Sequence, residues 1–295
     1  MSRLDIIASA ADEFSREVAK LLSVGSFSPI WNSNFGWRHP DEMKNAVLFW
    51  LTKLAGIAST IHASVSLAKR GYWFQVSILS RSVTEAHLSI AYTFPKSDMQ
   101  SGDWPSDKQN EAIREHYKET WANPHKPFDD QRQRPHIRNL SAAIGRMQDA
   151  NTALTPHDVS QSAIQNMRLL SDYTHMAYPQ VMELFSERDG FLLAGNQGEQ
   201  PLFGEMELGR LIVGSFIYAE VTCEFLRKVY VGCVAKVEAD QAEKKKAAMF
   251  QDKVQLITTL RDQFETTGTK LETVFPFSDE EARKVLRAFK QGKPL

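Results

Sequence analysis

The chain has 295 residues, enough for one large or two modest domains. An apolar share of 42% and a charged share of 24% are ordinary for a globular protein. A net charge of −1 excludes a global field toward nucleic acid or anionic membrane, so any such contact needs a local basic patch.

The start, MSRLDIIASAADEF, has early acids and no long apolar run, so it does not read as a secretory signal. Residues 3–23 read as an amphipathic helix, with Leu4, Ile7, Ala11, Phe14, Val18, Leu21 and Leu22 at helical spacing. The next stretch, SVGSFSPIWNSNFGWRHP, clusters Ser, Asn, Gly and Pro and reads as a loop. Its aromatics Phe27, Trp31, Phe35 and Trp37 are expected to cover the bundle. A second helix is expected from about Asp41, just after Pro40, to about Lys69, closed by a turn or kink at Gly71.

Residues 72–92 then read as a central helix. Tyr72, Val76, Leu79, Val83, Ala86 and Ile90 make one apolar face. Phe74, Ile78, Leu88 and Tyr92 make a second, interrupted by Arg81 and Glu85. A third side (Ser77, Ser80, Thr84) is small and suits close approach by a neighbouring helix. A helix apolar most of the way round belongs inside a bundle, so Arg81 and Glu85 are expected to be largely buried and paired across one turn. Stripping water from an unpaired ion costs several kcal/mol, which makes pairing the expectation.

Residues 95–110 are rich in breakers and read as a loop ending in a Ser106 cap for a helix at 107–122. A further helix is expected over 135–149. Arg132, Arg134, Arg138 and Arg146, with His136, make this the most basic zone, read chiefly as a solvated face. Thr155 and Pro156 open the next helix as cap and first position. It carries Ile164, Met167, Leu170, Thr174 and Tyr178 on one side, is kinked or restarted at Pro179, and is expected to end near Gly190. FLLAGNQGEQPLFG, at 191–204, reads as a hairpin-like loop or small β-ribbon. Glu205 to about Thr266 reads as one long helix whose charged outer part projects or packs on a partner. Ser278 to Glu281 is a capping box for a last helix.

Two cysteines, Cys223 and Cys233, lie ten positions apart on one expected helix, too far for a disulfide. No paired Cys/His spacing suggests zinc, so no metal and no cofactor is expected. The longest apolar region, Leu208 to Val237, is interrupted by charges such as Arg210, Glu220, Glu224, Arg227 and Lys228 and does not read as a membrane span. A reducing cytoplasm is the expected location.

P-loop, GxGxxG, HExxH and GxSxG patterns do not occur. Two Arg-to-His arrangements do: Arg81 with His87, five residues between, and Arg168 with His175, six between, in RLLSDYTH. Arg168, Ser171 and His175 fall near one line of a helix, with Asp172 to the side. On these residues, together with the helical order and the Arg81/Glu85 helix after a Gly-containing turn, Asp41 to Arg188 resembles a bacterial family of HEPN-like helical proteins. That resemblance implies a metal-independent RNA endonuclease of the toxin or phage-defence kind, with Arg168 and His175 catalytic and two helices meeting across a homodimer.

The expectations are therefore an all-α bundle of about five to six main helices with a long C-terminal helix and a small irregular or hairpin insertion near 190–204. Residues 1–40 form an N-terminal helix and aromatic loop, 41–238 the HEPN-like bundle and 239–295 a charged helical extension. Arg81, Glu85, Ser171 and Asp172 are expected to bind substrate, with RNA as partner and no membrane contact. The competing expectation is a non-catalytic ligand-binding or interaction module, in which the Arg81–Glu85 pair is structural and His175 bonds inside the bundle.

Overall fold

The computed structural model describes residues 2–24, 30–32, 36–38, 45–93, 185–186, 191–192, 202–239 and 244–274, together with positions 164, 167, 168, 170, 171 and 174–176. Five helices dominate: α1 (Arg3–Ser23), α2 (Asn45–Ala68), α3 (Trp73–Thr93), α4 (Leu202–Ala239) and α5 (Lys244–Val274). The all-α bundle expected from periodicity is the fold. The expected helices at 107–122, 135–149 and after Ser278 lie outside the described residues, as does Asp172.

Local chemistry sets the helix ends. Ser2 caps α1: its Oγ accepts from the Asp5 N–H at 3.2 Å while the Asp5 carboxylate accepts from the Ser2 N–H at 2.9 Å. This reciprocal box satisfies two N–H groups that the first turn leaves without partners. At the other end of α2, Gly71 has φ +79°. The Gly71 N–H bonds the Ala68 carbonyl at 2.9 Å and the Tyr72 N–H the Leu67 carbonyl at 3.0 Å. That pair of bonds is the Schellman closure, which needs a left-handed residue where glycine sits. The chain thereby reverses into α3 within four residues.

One core joins all five helices. Phe14 of α1 meets Phe216 of α4 edge-on at 5.2 Å and Phe264 of α5 at 6.1 Å. Trp50 of α2 meets Phe225 of α4 at 4.4 Å. Such tilted ring pairs contribute beyond simple burial. Thr267 on α5 donates to Glu13 on α1 at 2.9 Å.

Three expectations need correction. The region from Glu205 to Thr266 is two helices, not one. Contacts between Gln251 and Glu238, Arg261 and Glu224, and Gly268 and Phe216 keep a nearly constant index sum, so α5 runs antiparallel back along α4. The outer part folds onto its own chain because Ile257, Leu260, Phe264 and Leu271 form an apolar row that α1 and α4 bury. The aromatic loop contains a three-residue antiparallel ribbon, β1 (Ile30–Asn32) with β2 (Gly36–Arg38), pairing Trp31 with Trp37. The helical segment expected to end near Gly190 does not reach it, because β3 (Phe185–Ser186) pairs antiparallel with β4 (Phe191–Leu192). This ribbon lies ahead of the hairpin expected over 191–204 and shares only Phe191 and Leu192 with it; residues 193–201 lie outside the described residues.

Burial along α4 is uneven. Residues from Leu208 to Leu226 are buried or half-buried except for the exposed Ile217, and beyond Leu226 no described residue of α4 is fully buried. No helix among the described residues is long and apolar enough to cross a membrane.

Candidate functional site

The α3 helix carries the charged pair. Arg81 Nε donates to Glu85 Oε1 at 2.9 Å, the expected contact across one turn. The expected burial is corrected: the side chains are 27% and 41% exposed. The buried residues of α3 include Trp73, Val76, Ser80, Val83, Thr84 and His87, together with Phe74, Leu88, Ser89 and Ile90, so two of its three small residues, Ser80 and Thr84, are in the core. Ser80 and Thr84 turn their hydroxyls back to the Val76 and Ser80 carbonyls at 2.9 and 3.0 Å. Their polarity is satisfied within the helix, so α4 packs close. Arg81 and Glu85 are left at the margin of the core.

At that margin Arg81 reaches a segment 90 residues away. Its Nη1 donates to Ser171 Oγ at 3.2 Å. Positions 164, 167, 168, 170, 171 and 174 are helical. Ile164, Met167 and Leu170 are buried, Ser171 is half-buried, and Arg168, Thr174 and His175 are exposed. The His175 N–H bonds the Ser171 carbonyl at 2.9 Å, and Met176 follows with φ +53°. A left-handed non-glycine residue ends the helix there. The structure thus brings together Arg81, Glu85 and Ser171, and places Arg168 and His175 on the surface one turn to either side of Ser171. The alternative that puts His175 inside the bundle is not the observed placement.

The second Arg-to-His arrangement separates. His87 is 6% exposed and points to α4, where its Nε2 lies 3.0 Å from Ser215 Oγ. The Ser215 hydroxyl donates to the Leu211 carbonyl at 2.7 Å, so it accepts from His87 and the proton sits on Nε2. The ring stacks on Tyr218 at 4.7 Å. Burial, aided by the Arg210 cation, pushes His87 down to about 3, so it is neutral at ordinary pH. Burial also pushes the Tyr218 phenol up. Arg210 itself holds Glu207 through two bonds of 2.8 and 2.7 Å. A neutral, fully enclosed imidazole far below its working range is a structural pin between α3 and α4, and Arg81 does not share its site. Sequence reading had no signal for Ser215 as its partner, since the contact spans 128 positions.

On the α4–α5 seam, Glu224 accepts from Arg227 at 2.9 Å and from Arg261 at 3.2 Å, with Lys228 at 3.8 Å. These hydrogen bonds, led by Arg227, hold the Glu224 carboxyl below its ordinary value. Cys223 is buried, and that burial pushes its thiol up, which makes it inert. Among the described residues no group of His, Cys, Asp and Glu could hold a metal ion.

Compared with known proteins, the chain matches no family model, no curated relative and no solved structure.

Proposed function

We propose that this protein is a HEPN-like, metal-independent RNA endonuclease that acts as a homodimer, with Arg168 and His175 as its catalytic residues. The observation that carries this reading is the exposure of both side chains on either side of an anchored Ser171. A structural pair would be expected under cover, as His87 is. His175 takes the proton from a ribose 2′-hydroxyl as it attacks the adjacent phosphate, or supplies one to the leaving oxygen. Arg168 grips the phosphate with paired N–H donors and stabilises the charge that develops on it. The attacking group belongs to the RNA itself, so the residues need only position it and move protons.

The test is incubation of the purified protein with RNA in EDTA, wild type against His175→Ala. The expected result is cleavage by the wild type that the substitution reduces by at least about a hundredfold, the usual scale of general acid–base catalysis. Cleavage indifferent to the substitution removes His175 from the mechanism. Absence of cleavage transfers the site to the second reading, a non-catalytic binding or interaction module, which the engagement of Arg81 by both Glu85 and Ser171 favours.

A further inference from the structure

We infer that Arg81, oriented by Glu85, is a positioning residue for the chemistry at His175 and acts through Ser171. This rests on the RNA endonuclease reading above and deepens it. Ser171 has two bonds with different tasks. Its hydroxyl accepts from Arg81 on α3, and its carbonyl accepts from the His175 N–H. It also stands where its helix leaves the core: Leu170 is fully buried, and Thr174, His175 and Met176 are exposed. The Arg81 guanidinium therefore grips the helix just short of the exposed turn that ends in His175.

Glu85 completes the latch. An arginine side chain has several freely rotating bonds and loses rotamer freedom when fixed. The bond from Nε to Glu85 fixes the fork along α3, so Nη1 is already aimed when it meets Ser171. Beyond His175 the left-handed Met176 closes the helix. The imidazole is thus carried on a single turn, tethered at one end by Arg81 and terminated at the other. Small displacements of a reacting group cost rate steeply, about a hundredfold for an ångström. A latch acting only on geometry lowers turnover and leaves substrate affinity alone.

The experiment uses the full chain and a fluorescent single-stranded RNA in EDTA. It measures kcat and KM for wild type, Ser171→Ala, Ser171→Thr, Arg81→Met and the Arg81→Met/Ser171→Ala double variant. Thermal midpoints and amide exchange over 168–176 are followed in parallel. The expected result is a ten- to hundredfold fall in kcat for Ser171→Ala and for Arg81→Met. KM and midpoint stay near wild type, exchange over 168–176 accelerates, and the double variant is no slower than the worse single. Ser171→Thr, which keeps the hydroxyl, recovers most of the loss. Wild-type kcat in Ser171→Ala, or losses that multiply in the double variant, overturn the latch while leaving the endonuclease reading standing. A wild type that cleaves no RNA overturns the endonuclease reading and the positioning role with it. Exchange in Ser171→Ala then separates a tether that merely holds the fold from no tether at all.

Discussion

Gly204 lies in the first turns of α4 with its Cα against the indole of Trp73, the first residue of α3. A Cβ built there falls in hard overlap with Trp73 Cε3, at 2.9 Å from Cζ3 and at 3.2 Å from Cδ2. Trp73 is 3% exposed, so the ring has nowhere to retreat. Two terms compete in Gly204→Ala. Alanine is the better helix former by about 0.8–1 kcal/mol. Forcing a methyl into a packed core costs about 1–3 kcal/mol. Contact this short puts the overlap at the upper end, and the net expectation is a loss of about 1–2 kcal/mol. Gly232 on the same helix and Gly56 on α2 have nothing within 4 Å of an added Cβ. The identical change there should stabilise by about 0.5–1 kcal/mol. Urea unfolding of the three variants, read by far-ultraviolet circular dichroism, gives opposite signs from one chemical edit. A Gly204→Ala protein at or above wild-type stability would refute the placement of α4 against Trp73.

Because His87 is depressed when folded, the unfolded chain binds more protons between about pH 3 and the ordinary imidazole value of 6.5. Its contribution is complete above that upper value and is lost as pH falls toward the lower one, with a slope of up to about 1.4 kcal/mol per pH unit. His87→Gln should flatten that part of the stability–pH curve, and an unchanged slope would assign the linkage elsewhere. Phe264→Ala should cost about 3–5 kcal/mol in denaturant unfolding, since the ring is fully buried against Phe14 and Phe216. A loss below about 1 kcal/mol would mean that α5 is not part of the core. Gly71→Ala should cost about 1–2 kcal/mol, because φ +79° places a Cβ against the following carbonyl; a neutral result would place the α2–α3 turn in another conformation.

Periodicity carried the helices themselves. The apolar row from Ile7 to Leu21 and the glycine at 71 were enough to place α1 and the α2–α3 reversal, because capping and turn chemistry are local. The break between α4 and α5 was not legible. The run EADQAEKKK consists largely of residues that favour helix, with no glycine or proline, so nothing in it announces a reversal. The decision lies in the apolar row from Ile257 to Leu271, which gains more by covering α1 and α4 than by projecting. The Arg81–Glu85 contact was legible as a spacing, but its depth was not. Burial depends on which side of α3 meets α4, and the small residues that decide it look polar in one dimension. The approach of Arg81 to Ser171 spans 90 positions and has no sequence signature. The short ribbons at 30–38 and 185–192 fell below the length at which alternation can be seen.

The hairpin of α4 and α5 has a mechanical corollary. At 1.5 Å per residue the 38 residues of α4 span about 57 Å, against about 32 Å for the 21 residues of α1 or α3. About two-fifths of its length therefore exceeds what those shorter rods can span, and Val231 on α4 and Met249 on α5 are exposed. An arm that, among the described residues, is covered mainly by its own returning helix opens from the tip without loosening its root. Backbone amides at 231–239 and 244–250 should trade their protons for deuterium well before those near Phe216 and Phe264, so that the boom frays while its mast stands.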